Sequence, residues 1–265
     1  MPPLTISIEQ NASRPTRISG LRRWGAHFLF LCGYLVFAGL ALSSSLLCLI
    51  PGILFHSDRS RLTGQRFIHY LFRIFLGYLK VLRLLHVECA SLAPIRGKSG
   101  LILVANHPSL LDAVVVGSEL PNIFCLMKSN LVHNVMLCGQ SRLAGYVNNK
   151  SGAGLIKACK KRLQAGSNLL VFPEGTRTEG KLLPFKKGFA LLACTTRTPV
   201  QTIVIEFNSS FFAKGWPFFR VPPLPLKCSL ELGKRFVPTE GSDARQLSDD
   251  VEAYLRGELA RRGRA

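Results

Sequence analysis

From Trp24 to Phe55 the chain contains no Asp, Glu, Lys or Arg, and arginines stand on both sides: Arg22 and Arg23 before it, Arg59, Arg61 and Arg66 after it. No other stretch limits the fold so strongly. As a straight helix it would run ~48 Å at ~1.5 Å per residue, against ~30 Å for the hydrocarbon core of a bilayer. It must therefore tilt as a single span, break near Pro51-Gly52, or fold back as a re-entrant hairpin around Ser43-Ser44-Ser45. A cleavable signal peptide has an apolar core of ~7–15 residues, shorter than this run. Basic flanks at both ends give no clear orientation by the positive-inside rule, and they are what a hairpin with both ends cytoplasmic would show.

The flanking segments extend this picture. Residues 1–23 form a flexible basic N-terminus, and residues 24–86 form a membrane anchor made of the apolar segment 24–55 and a basic amphipathic helix over 59–86. In that helix Arg59, Arg66, Arg73 and Lys80 recur at heptad spacing, which keeps them on one face. Phe67, Ile68, Leu71, Phe72, Phe75, Leu76, Leu79 and Leu82 cover the rest. Two readings stay open: a helix packed on the domain with a solvated charged stripe, or an interfacial helix with its apolar face in the acyl region and its cations among lipid phosphates. The position directly after a membrane segment favours the second.

Composition narrows the partners. A formal charge of +19 calls for something anionic: nucleic acid, an anionic phospholipid membrane or an acidic carrier protein. A mean hydropathy above zero in so basic a chain weighs against nucleic acid and towards the membrane surface. The eight cysteines show no C-x-x-C and no metal-like spacing, and most lie in apolar runs, which points to a reducing compartment with no disulfide framework and no metal site.

Residues 87–265 read as an α/β domain. Strand-like runs at 101–105, 123–127, 144–147, 168–172, 200–207 and 228–232 alternate with helix-like segments at 109–119, 130–141, 152–165 and 186–196. That alternation implies a largely parallel central sheet flanked by helices on both faces. A last helix runs over 242–262, with acids early and arginines late, and 208–226, rich in Phe and Pro, reads as an irregular flap. In parallel sheets, sites collect beyond the carboxyl ends of the strands.

Two strand ends abandon hydrophobicity abruptly. In LILVANHPSLLD the spacing puts His107 at or near a helix N-cap, Pro108 in its first turn, and Asp112 within reach of the imidazole. A carboxylate holding one ring nitrogen protonated leaves the other as a base, the His–Asp half of a catalytic triad. No G-x-S-x-G elbow supplies a nucleophile, so a substrate hydroxyl would attack directly; the alternative is a capping histidine beside a surface aspartate. In LLVFPEGTR, Gly175 can expose backbone N–H groups, Arg177 offers a planar fork for a phosphate, and Thr176 adds a hydroxyl. Glu174 either binds a polyol hydroxyl or orients Arg177. Lys128, just past a strand, is a further lining candidate, and Lys186-Lys187-Gly188 completes a basic surround.

NHPSLLD followed by FPEGTR, behind a hydrophobic N-terminus, resembles the PlsC-like glycerolipid acyltransferase family from about Val87 to Phe236. The resemblance implies transfer of a fatty acyl group from acyl-CoA or acyl-carrier protein to a hydroxyl of a lysophospholipid, most simply 1-acyl-sn-glycerol-3-phosphate. His107 would be the general base, Asp112 its orienting group, and Glu174, Gly175 and Arg177 the acceptor-phosphate site, with backbone N–H groups near Gly175 facing the oxyanion. The acyl donor is a co-substrate; no cofactor or metal is required. The expected location is the inner membrane, with the catalytic domain on its cytoplasmic face. Two blocks depart from the family pattern. Gly145–Asn149 stands where a G-x-x-F-I-D-R-like block carries an arginine, and Thr198–Thr202 lacks the second proline of the late block. The first departure leaves room for a non-glycerophosphate acceptor, as in specialised bacterial lipid or aryl-polyene pathways. A non-enzymatic basic membrane protein is the distant alternative and gives no reason for FPEGTR.

Overall fold

A computed structural model of the chain describes residues 20–127, 134–149, 153–178, 181–217 and 219–263. The charge-free stretch is one helix, α1 (Gly20–Leu54), with neither break nor re-entrant turn. The serine triplet does not turn the chain because each hydroxyl has a local or docked partner. Ser43 and Ser44 bond back to the carbonyls of Gly39 and Ala41 at 2.7 and 3.0 Å, as mid-helix serines do. The Ser45 hydroxyl accepts the Gly139 N–H at 3.0 Å. Pro51 falls in the last turn; it withholds a bond from the Leu47 carbonyl, and the helix ends three residues later at Leu54.

Helix α2 (Asp58–Val81) starts at a Ser57 cap whose hydroxyl accepts the Ser60 N–H at 3.1 Å. It runs back along α1: the Tyr78 hydroxyl donates to the Leu29 carbonyl, Leu79 touches Gly33, and Phe75 meets Phe37 edge-on. The heptad cations Arg59, Arg66, Arg73 and Lys80 are exposed, as their spacing predicts. The apolar face, expected in the acyl region, is instead packed on protein. Ile68, Phe75, Leu76 and Leu79 are buried, because α1 and α3 (Asp112–Glu119) offer them a core first. Helix α4 (Cys138–Leu143) fits against both N-terminal helices through glycine: a Cβ at Gly64 would lie 2.6 Å from the Ala144 nitrogen, and one at Gly139 would collide with the Ser45 carbonyl.

The sheet has seven strands in the order β1-β7-β6-β2-β5-β3-β4, namely β1 (Leu85–Glu88), β2 (Ile102–Ala105), β3 (Ile123–Met127), β4 (Val147–Asn148), β5 (Asn168–Val171), β6 (Val200–Phe207) and β7 (Leu226–Phe236). Every pair is parallel except β6–β7, so the largely parallel α/β expectation holds. The short strand β1 goes beyond the expected set; only pairing with β7, Leu85 to Leu226, makes it a strand. The side chains of β2 alternate between two cores, as a pleated strand requires. Leu103 and Ala105 join the layer under α1, α2 and α3, whereas Ile102 and Val104 join the layer under α5 (Ala153–Gln164), α6 (Gly188–Thr196) and α7 (Ala244–Arg261). Of the segment 208–226 expected to be irregular, the described residues up to 225 are so, and Leu226 already belongs to β7.

Candidate active site

The carboxyl end of β2 is anchored by Asn106, which the motif reading did not assign. Its buried amide donates to the Ile205 carbonyl and accepts the Ile205 N–H, both at 2.8 Å, extending the β2–β6 ladder with a side chain. His107 follows. The helix expected to start at Pro108 begins only at Asp112, so His107 is not an N-cap; Leu111 holds that place. The turn from Pro108 to Leu111 carries the chain round until Asp112, fully buried, accepts from two donors on one oxygen: His107 Nδ1 at 2.7 Å and the Ser109 N–H at 2.9 Å. Burial pushes the Asp112 carboxyl up to about 6, against the opposing pull of its bond to His107. With Nδ1 protonated towards Asp112, Nε2 carries the lone pair. The imidazole lies flat on Phe172 at 4.2 Å and is partly open to solvent.

The second strand end reaches the same place. Glu174 is buried, and its carboxylate accepts the His107 backbone N–H at 2.9 Å, the Thr178 hydroxyl at 2.7 Å and the Leu183 N–H at 3.1 Å. The Thr178 N–H in turn donates to the His107 carbonyl at 3.0 Å. With three protein donors on a carboxylate, Glu174 fixes the backbone of His107; none of these bonds runs to Arg177. Gly175 adopts φ +72°, a conformation natural to glycine, and its N–H donates to the Phe172 carbonyl at 3.0 Å. That bond closes the turn and removes this amide as the oxyanion donor expected of it. A Cβ at Gly175 would lie 2.7 Å from the Lys186 ammonium, so glycine here lets Lys186 cross the loop.

Arg177 extends from this loop and spends one N–H, at Nη1, on the Phe212 carbonyl at 2.8 Å. The Ser109 hydroxyl donates to the neighbouring Phe211 carbonyl at 2.8 Å. Both motifs thus hold the 208–225 flap, whose Phe211 and Phe212 rings meet Phe30 and Tyr34 of α1. Thr176 sits partly exposed in the same loop. Lys128 lies outside the described residues. In the block that lacks the family arginine, the Asn149 N–H pairs with the Met127 carbonyl at 3.0 Å and its side chain is exposed; Arg162 from α5 donates to the Gly145 carbonyl.

The site therefore offers a base on a buried carboxylate, cations on the adjoining loop, and a flap joining it to the apolar helix. Residues 86–206 match the family model described as Acyltransferase. The chain is 31% identical over 119 residues to a 1-acyl-sn-glycerol-3-phosphate acyltransferase of Helicobacter pylori, spanning 42% of this chain and 50% of that protein. It is 31% identical over 167 residues to one from Limnanthes alba, spanning 60% of this chain and 56% of that protein. The matches thus cover about half the length of these curated relatives. In fold, it is similar to the 1-acyl-sn-glycerophosphate acyltransferase PlsC of Thermotoga maritima, with a TM-score of 0.66 at 20% identity over 91% of this chain and 98% of that one.

Proposed function

We propose that this chain, which belongs to the PlsC-like glycerolipid acyltransferase family, is a membrane-bound acyltransferase that moves a fatty acyl group from a thioester to the free hydroxyl of 1-acyl-sn-glycerol-3-phosphate. The observation that carries the reading is the dyad: His107 on a buried Asp112, held from behind by Glu174 at the meeting of two strand ends. The acceptor hydroxyl donates to His107 Nε2 and loses its proton there as its oxygen attacks the thioester carbonyl. The tetrahedral oxyanion then collapses, the C–S bond breaks, and the thiolate leaves with the proton returned by the imidazolium. A base so placed is worth ~10²–10⁴-fold. Arg177 and Lys186 supply positive charge for the acceptor phosphate, Thr176 a further hydroxyl, and Lys128 is kept as a lining candidate.

The donor is acyl-CoA or an acidic acyl-carrier protein, either of which suits a chain of net charge +19. Helix α1, long and apolar enough to cross a membrane by length and composition, has an outer face carrying Trp24, Leu35, Leu42, Leu46 and Ile53, which supports membrane attachment; the inner membrane, with the catalytic domain on its cytoplasmic face, is part of the same proposal. A second acceptor, without a glycerophosphate, is favoured by one observation: Asn149 stands exposed where the family pattern has an arginine. Lipid mass spectrometry on purified protein, given acyl-CoA or acyl-carrier protein and a panel of hydroxyl acceptors, tests the reading. New phosphatidic acid supports the first acceptor; acylation of only a phosphate-free hydroxyl replaces it with the second.

A further inference from the structure

At the far end of α3 from Asp112, about 10 Å along the helix axis, a cavity of about 530 Å³ opens between α2, the end of α3 and the loop before β2. Arg73 and Lys80 of α2 line one wall and Arg96 the other. Arg96 is paired with Glu119 at 2.5 Å; among the described residues neither Arg73 nor Lys80 has an ion-pair partner. The cavity therefore holds three guanidinium or ammonium groups against one carboxylate, and Gly77 leaves its rim low. Nothing in the dyad, the FPEGTR loop or the flap takes part in it.

Its surroundings identify what it faces. Helix α2 meets α1 along Phe75, Tyr78 and Leu79. At 3.6 residues per turn, the next positions round the helix from Tyr78 are Ile74, Val81 and Tyr70, all more than half exposed, and then Arg66, Arg73 and Lys80. Going outward from α1, the surface thus passes from wholly apolar, through an aromatic and aliphatic border, to a row of cations of which Arg73 and Lys80, but not Arg66, line the cavity. That is the order of acyl chain, interface and headgroup in a leaflet.

We propose that this cavity binds the phosphate of an anionic phospholipid, with Arg73 and Lys80 on the headgroup and the acyl chains lying over Gly77 and Ile74 towards the outer face of α1. This rests on the membrane attachment proposed above but not on the acyl-transfer chemistry. The site is separate from the one that handles acceptor and product.

The test uses the full chain in detergent micelles, titrated with dioctanoyl-phosphatidylglycerol, a lipid that is neither the proposed acceptor nor its product, with bound lipid counted by native mass spectrometry. Saturable binding of one lipid is expected, unchanged in His107→Ala. It weakens about thirty-fold in Arg73→Gln/Lys80→Gln and is kept in Arg59→Gln/Arg66→Gln, which removes the same charge from the same face away from the cavity. Equal loss in both double variants means diffuse surface charge and overturns the site. So does equal binding of dioctanoyl-phosphatidylcholine, or displacement of the lipid by millimolar inorganic phosphate. Failure of the wild-type chain to partition into phosphatidylcholine vesicles would instead overturn the membrane attachment itself.

Discussion

The backbone N–H of His107 donates to the buried carboxylate of Glu174 at 2.9 Å, so the residue proposed as the base is held by the neighbouring strand end. Glu174→Gln keeps the volume but puts an amide, with two donors of its own, among three donors. Each charge-assisted bond contributes roughly 1.5–3 kcal/mol, so Tm should fall clearly. The turnover number should fall ~10–100-fold through misplacement of the imidazole, with the acceptor KM close to wild type. A large rise in KM with kcat unchanged would return Glu174 to the acceptor site.

Asp112 sets the pH behaviour. Burial raises its carboxyl from 3.8 to about 6, so between those values the folded chain holds a proton that the unfolded chain has released. Stability therefore falls as pH rises through that window and is level above it, while activity, which needs the carboxylate, rises. The acid limb of kcat/KM should show an apparent pKa near 6 belonging to the pair. Asp112→Asn should lose ~10²–10⁴-fold in kcat yet melt no lower than wild type at neutral pH, since a buried charge is gone. Thermal melts and pH-rate profiles of the two proteins check both halves.

Arg177 is expected to read the phosphate. Arg177→Lys keeps a cation but loses the fork and the bond to the Phe212 carbonyl. The KM for a phosphate-bearing acceptor should rise about tenfold, or ~1.4 kcal/mol. An acceptor lacking phosphate should be used as well as by wild type. Steady-state kinetics on a matched pair of acceptors decides it.

The docking of α1 on α4 leaves no room at Gly139, where a Cβ meets the Ser45 carbonyl. Gly139→Ala should cost about 1–3 kcal/mol by overpacking and loosen α1 from the domain, seen as faster amide exchange on Ala41–Cys48. Gly25→Ala, with open space around its Cβ, is the control and should neither destabilise the chain nor speed that exchange.

What was legible in the sequence followed from local pattern. Apolar runs of strand length gave β2, β3, β5 and β6 close to their observed bounds, and H-x-x-x-x-D brought His107 and Asp112 together. What escaped depended on tertiary partners. The apolar face of α2 looked the same whether lipid or protein covered it, and only the position of α1 and α3 decides for protein. The serine triplet suggested a turn until Ser45 had Gly139 to bond. Asn106 gave no signal because its task, bridging to Ile205, joins residues far apart in the chain. In the sequence Gly175 stands out for the N–H groups its loop can expose; its constraint in the fold is the close approach of Lys186.

The central claim is that His107 accepts the proton of the acceptor hydroxyl. The direct measurement is the rate of phosphatidic acid formation from acyl-CoA or acyl-carrier protein and 1-acyl-sn-glycerol-3-phosphate by purified wild-type and His107→Ala protein, matched for fold by thermal melting. A loss of ~10²–10⁴-fold in kcat, with the melt preserved, is the predicted result. Equal rates in the two proteins would contradict it.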